Sequence, residues 1–217
     1  MKKYLLIIAL FISSFGVAQD VHFSQIQESP LWLNPANAGF MDGYFRAVAN
    51  YRNQWMAMGN AYQTMAISVD ASLLKTKKNK AYLGLGLFVF NDRAGVAKMG
   101  TTQGQIHINA IIKTSKKSKL GGAVYIGFNQ NSANYASLTY ANQYNGKEID
   151  NTLGSGEAVT YGSFVNTDVG AGLNYEFSSA NIDMLRDDIF SLKIGAAAHH
   201  LNQPVQKFAS GSTYKLP

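Results

Sequence analysis

The chain has 217 residues, a formal net charge of +6, only 15% charged residues and no cysteine. The missing thiols exclude a disulfide framework, a thiolate metal site and a lipidated N-terminal cysteine, and the charge content falls well below the roughly 25% of an average soluble protein. The 20 Gly, 12 Tyr and 12 Phe favour β-structure over helix.

Residues 1–18 read as a secretory signal. Lys2 and Lys3 form a basic start, Leu5 to Ile12 an apolar core, and Gly16 and Ala18 supply small residues for cleavage after Ala18, or one residue later after Gln19. The apolar run is shorter than the roughly 20 residues a membrane-spanning helix needs. Removing 1–18 deletes two lysines and no acid, so the mature charge falls from +6 to +4. Residues 19–43 then form a lead-in or plug, broken by Pro30, Pro35 and Gly39.

From residue 44 onward the chain alternates. In the first run Phe45, Ala47, Ala49, Tyr51 and Trp55 share one face, while Arg46, Asn50, Arg52 and Gln54 share the other. The second sets Met65, Ile67, Val69, Ala71 and Leu73 against Thr64, Ser68, Asp70 and Ser72. The third, Tyr82 to Asp92, sets leucines and Val89 against Gly84, Gly86, Phe88, Phe90 and Asp92; a loop through Gly95 and Gly100 follows. The fourth sets Ile106, Ile108, Ala110 and Ile112 against Gln103, Gln105, His107 and Asn109, with Ile111 an apolar exception on the polar side. Leu120 to Asn129, Asp168 to Phe177 and Ile189 to His200 repeat the pattern, the first two separated by a long polar stretch from about Gln130 to Asn166. A polar segment, Leu201 to Pro217, closes the sequence.

Runs of about 10 to 12 residues suit tilted membrane-crossing strands, and charge-free apolar rows opposite rows with Arg, Asp, Gln, His and Glu are the apolar-out, polar-in signature of outer-membrane barrels. The predicted fold is therefore all-β, an antiparallel up-and-down transmembrane β-barrel of outer-membrane type over residues 44–217. Connections are expected to be short after strands two and four and long after three and five. Seven runs are an odd number for such a barrel, whose strands must close to satisfy backbone groups in lipid. The expectation is that these are the N-terminal seven or so strands of a larger barrel, truncated at its C-terminal side. A secreted soluble β-sandwich alternates in the same way and stays open at this point, as does a general porin or small-hydrophobe channel.

The lysine-rich stretches Lys75–Lys80 and Ser115–Lys119 read as solvated turns, not a nucleic-acid surface. No catalytic or cofactor motif stands out: no G-x-S-x-G elbow occurs, and the strand glycines lack phosphate-loop spacing and instead suit curvature or close plug packing. His199 and His200, adjacent on a strand, would point to opposite faces and so not share a metal. Arg46, Arg52, Asp70 and Asp92 on the inward rows are expected to pair with one another or with a plug, because an unpaired buried charge is costly; a contact surface for cargo or a partner is the alternative.

His22-Phe23-Ser24-Gln25, Asn34-Pro35-Ala36 with Ala38-Gly39, Asn50-Tyr51-Arg52-Asn53-Gln54-Trp55 and His200-Leu201-Asn202-Gln203-Pro204 together resemble, in order and spacing, the PorP/SprF family. The resemblance implies a non-enzymatic outer-membrane component of the type IX secretion system, linked in some members to gliding motility. Its implied partners are outer-membrane lipid, periplasmic ring and peptidoglycan-binding proteins of that machine, and secreted cargo bearing a C-terminal sorting domain. Asn34, Pro35, Asn50, Gln54, Trp55, Asn202, Gln203 and Pro204 are the motif residues it singles out, together with Arg52 and His200.

Overall fold

A computed structural model describes residues 28–58, 62–76, 78–134, 138–150, 152–156, 163–179, 190–209 and 212–215; the signal segment lies outside them. Seven strands follow one another in space as in sequence: β1 (Phe45–Gln54), β2 (Tyr62–Leu73), β3 (Ala81–Ala94), β4 (Met99–Ser115), β5 (Ser118–Ser132), β6 (Phe164–Ser178) and β7 (Ser191–Ala198). Every neighbouring pair is antiparallel, and the sheet curls into a half-barrel. A two-stranded hairpin, β8 (Val205–Ala209) with β9 (Ser212–Lys215), follows. No helix among the described residues is long and apolar enough to cross a membrane, which says nothing about strands.

The burial pattern is inverted relative to a water-soluble sheet. The polar row is inside: Asp70, His107, Asn109, Asp168 and Glu176 are all buried, Asn109 completely. The apolar row is outside: Leu87, Ile106, Ile108, Val124 and Leu173 are exposed, and Ile126 is 60% exposed. Leaving one Leu or Ile side chain in water forfeits roughly 1.5–3 kcal/mol, so a continuous row of them is stable only against an apolar medium. Aromatics close both ends of this band: Tyr44, Phe45 and Phe177 at one, Tyr51, Trp55 and Tyr62 at the other, all exposed. That is the arrangement of a transmembrane barrel wall.

Three local expectations change. The loop between the third and fourth runs is mostly strand: β3 extends to Ala94 and β4 starts at Met99, leaving a four-residue hairpin in which Gly95 (φ 68°) and Lys98 (φ 46°) make the turn and Lys98 N donates to Gly95 O at 3.1 Å. The long connection after strand three is thus absent, while the one after β5, residues 133–163, is present. The polar C-terminal segment forms β8 and β9 instead of a tail. Finally, Pro30 and Pro35 start short helical turns instead of breaking structure: α1 (Pro30–Leu33) and a 3-10 turn (Pro35–Asn37) each carry proline in the first turn, where its missing N–H costs nothing.

Candidate functional site

The concave face is not empty. Residues 28–40 lie across it and are hydrogen-bonded to five of the seven strands, β1, β2, β4, β6 and β7, by a network built largely on amide side chains. Asn34 Nδ2 donates to Leu173 O at 3.0 Å on β6 and to Ala196 O at 3.3 Å on β7, while its Oδ1 accepts from Ala36 N at 2.8 Å and fixes the turn. On β4, Asn109 Nδ2 donates to both Ala36 O (2.7 Å) and Ala38 O (2.8 Å). Asn174 of β6 donates to Asn37 Oδ1 at 2.6 Å, and Asn50 of β1 to Ser29 Oγ at 2.9 Å. The Asn34 and Asn109 bonds satisfy Ala36 N, Ala36 O and Ala38 O, backbone groups that the helical turns leave unpaired, as burial demands.

Charge adds a second fastening. Asp70 of β2 accepts Arg46 Nε at 2.8 Å and Arg46 Nη2 at 2.9 Å, a two-point contact, and Gly39 N at 2.8 Å. Arg46 Nη2 also reaches Asn37 O at 3.0 Å. The expected pairing of inward charges with each other and with the segment above them is thus present at Arg46 and Asp70. Asp92 accepts from Thr64 Oγ1 at 2.6 Å; Arg52 is half-buried on the same row. Lower on the face, Lys119 is buried between Glu176 (3.2 Å) and Asp42 (3.6 Å), with its ammonium 4.7 Å from the Phe40 ring centre.

Apolar contacts complete the fit. The Trp32 ring lies 5.5 Å from that of Phe88 and stacks on that of Phe90 at 5.3 Å, and Leu31 and Ala38 are buried with them. Ile111, the apolar exception on an otherwise polar row, is buried with Phe40 and Tyr82. Glycines make room for the segment. A Cβ on Gly84 would overlap the Ala38 carbonyl, one on Gly86 would stand 2.9 Å from Leu31 Cδ1, one on Gly121 3.0 Å from Phe40 Cδ2, and one on Gly172 would overlap Asn34 Oδ1. Close approach, the second reading of these strand glycines, accounts for them.

The motif at His200–Pro204 closes the end of β7. The strand ends at Ala198, and His200 takes a positive φ of 55°. This breaks the alternation expected for His199 and His200, and both rings turn toward one group on the concave face. His200 Nδ1 lies 2.9 Å from Asp168 Oδ1, and since a carboxylate only accepts, Nδ1 carries the proton. Tyr125 OH donates to Asp168 Oδ2 at 3.0 Å and lies 3.3 Å from His199 Nδ1. His107 faces the Tyr125 ring at 5.4 Å, its two nitrogens buried without a hydrogen-bond partner among the described residues. No group of three or more His, Cys, Asp or Glu among those residues is arranged to hold a metal.

Beyond the histidines, Leu201 N donates to Val169 O at 2.8 Å, and the Asn202 side chain gives to Thr167 O at 2.7 Å and accepts from Val169 N at 3.3 Å. Asn202 therefore continues the ladder on β6 where the β7 backbone has left it. Gln203 (φ 42°) closes the turn onto His200 O at 2.8 Å, and Pro204 is buried. Of the other motif residues, Pro35 is buried in the docked segment, whereas Gln54 and Trp55, at the end of β1, are exposed and do not join the concave-face network.

The family model described as type IX secretion system membrane protein PorP/SprF matches residues 16–217. The chain belongs to the PorP/SprF family. No curated protein and no solved structure shows a significant match. For this PorP/SprF chain, membership establishes a membrane component of the type IX secretion system, and the inside-out sheet is the fold through which it meets the membrane.

Proposed function

We propose that this chain is a non-enzymatic outer-membrane component that assists secretion or surface anchoring of specific cargo, including gliding adhesins where a cell glides. In this reading residues 1–18 direct export, residues 19–43 form a resident plug, and 44–217 belong to the barrel. The short lysine turns then face the periplasm, beside the ring and peptidoglycan-binding partners, and the cargo is a protein with a C-terminal sorting domain.

One observation carries the choice over a general porin: the chain's own segment 28–40 occupies the concave face, where a diffusion channel would hold water. It is held by side chains from β1, β2, β4 and β6, those of Asp70, Asn109 and Asn174 buried. A docking or transport role needs such a rigid interior; free diffusion does not.

Deleting the gene tests the reading. Loss of surface display of one or a few sorted proteins, with general permeability to small solutes unchanged, is the expected result. Normal export of every sorted protein, or a selective loss of small-solute uptake, would overturn it in favour of a channel.

A further inference from the structure

Two turns at the same end of the sheet stand side by side: one between β2 and β3, described at residues 74–76 and 78–80, and Lys116-Lys117 between β4 and β5. Lys113 N donates to Lys80 O at 2.7 Å and Lys113 Nζ to Thr76 O at 3.3 Å, joining them. Each turn is fastened internally, by Asn79 Nδ2 to Leu74 O at 2.8 Å and by Lys117 N to Ser115 Oγ at 3.1 Å. The positions of the lysines are therefore set by ordered turns.

These lysines divide into two kinds. Lys75 is engaged by the carbonyls of Met41, Asp42 and Gly43, at 2.6, 2.8 and 3.2 Å, and Lys119 is buried against Glu176. Lys78, Lys80, Lys116 and Lys117 are exposed, and none has an acidic partner among the described residues. Four cations held together without counter-charge repel one another, so the patch favours an anionic occupant.

Its height relative to the apolar band selects that occupant. The outward apolar rows run up to Leu73, Leu83, Ile112 and Leu120, all exposed. From Ile112 to Lys116 is four residues, roughly 13 Å of strand, or about 10 Å along the membrane normal at the usual barrel tilt. The headgroup layer is roughly 5–8 Å deep on each side of the hydrocarbon core. Lys116 thus stands at the outer edge of that layer, Lys117 and Lys80 are each three residues past the exposed Leu120 and Leu83, and Lys78 shares the turn with Lys80; a flexible four-carbon stem can bring each ammonium to the phosphates. A soluble acidic protein, by contrast, would have to be brought to them from the water above the headgroups.

We propose that Lys78, Lys80, Lys116 and Lys117 form a docking rim for the phosphate groups of anionic phospholipids in the adjoining leaflet. The proposal rests on the membrane-spanning reading of the strands. It assigns the lysine turns a lipid-selecting role that fixes the depth and orientation of the barrel.

The full-length protein is reconstituted into phosphatidylcholine vesicles containing a minor share of phosphatidylglycerol, extracted in mild detergent, and its retained lipids are quantified by mass spectrometry. Retained phosphatidylglycerol should exceed its bulk share, each lysine contributing up to about fivefold in preference. The combined K78Q/K80Q/K116Q/K117Q protein should return to the bulk ratio, while the four Lys→Arg replacements keep the enrichment. Bulk-ratio retention by the wild type, or enrichment surviving the four Gln changes, would overturn the rim. So would an acidic protein that binds the wild type without lipid and is lost in the Gln variant while no lipid is enriched. Resistance to carbonate extraction is read in parallel: a chain that fails to insert overturns the membrane reading and the rim together, whereas an inserted chain without enrichment overturns the rim alone.

Discussion

Arg46 on β1 and Asp70 on β2 stand directly opposite each other in register and share two hydrogen bonds, of 2.8 and 2.9 Å. The same carboxylate takes the Gly39 amide, so one ion pair ties strand to strand and the sheet to the segment lying across it. The Asp70 side chain has no exposure, while that of Arg46 keeps 28%.

Removing Arg46 leaves the buried Asp70 carboxylate without its counter-charge, with the Gly39 amide still donating to it. Arg46→Ala should destabilise the folded protein by on the order of 3 kcal/mol, the low end of the range for a buried pair because Arg46 retains some water contact. Arg46→Lys should recover only part of this, since an ammonium cannot reproduce the two-point geometry. Urea unfolding in vesicles, followed by tryptophan fluorescence, measures both. Equal stability of all three proteins would contradict the assignment.

Gly84 and Gly122 give a matched pair. Gly84 lies beneath the docked segment, where a Cβ would overlap the Ala38 carbonyl. Gly122, on the outward row, would meet nothing nearer than Leu173 Cδ2 at 3.4 Å. Gly84→Ala should therefore cost roughly 1–3 kcal/mol or more by overpacking and loosen residues 30–40, seen as faster amide exchange there. Gly122→Ala should change neither. Matching effects would mean that the glycines serve curvature alone.

At the β7 end, the Asn202 side chain replaces a strand backbone. Asn202→Ala removes a partner from both Thr167 O and Val169 N, and His200→Ala removes a charge-assisted bond to Asp168. Each should cost about 1–3 kcal/mol and speed exchange of the Val169 amide at least tenfold, leaving amides in β2 and β3 protected. Unchanged exchange at Val169 would show that the motif acts elsewhere.

The sheet was legible in the sequence because its signal is strictly local. A period-two row needs no knowledge of distant residues, and in this chain it recurs in each of the seven strands between Phe45 and Ala198. It failed where polarity masked strand: Arg93, Ala94 and Met99 to Thr102 carry no apolar row, yet they belong to the paired ladder because it continues through the backbone. His199 and His200 misled for the opposite reason, since a left-handed residue ended the alternation where residue types alone predicted its continuation. The docked segment was only half legible. Pro30, Pro35 and Gly39 marked it as irregular, but the partners that hold it, Asn109 and Asn174, lie 71 to 137 residues away and look like any other inward polar residue. Ile111, Phe88 and Phe90 were the visible clues: apolar side chains on an inward row require something apolar to cover them, and Phe40 and Trp32 do.

The central claim is that the apolar row faces lipid and the polar row the interior, and the absence of cysteine makes a direct measurement simple. Single cysteines placed in turn at residues 120–128 of β5 carry a fluorophore, and the protein is reconstituted in vesicles containing a lipid-borne quencher. Quenching should alternate with period two, strong at Leu120, Gly122, Val124, Ile126 and Phe128 and weak at Gly121, Ala123, Tyr125 and Gly127. Uniform quenching, or aqueous iodide reaching the outward positions while the lipid quencher does not, would contradict the account.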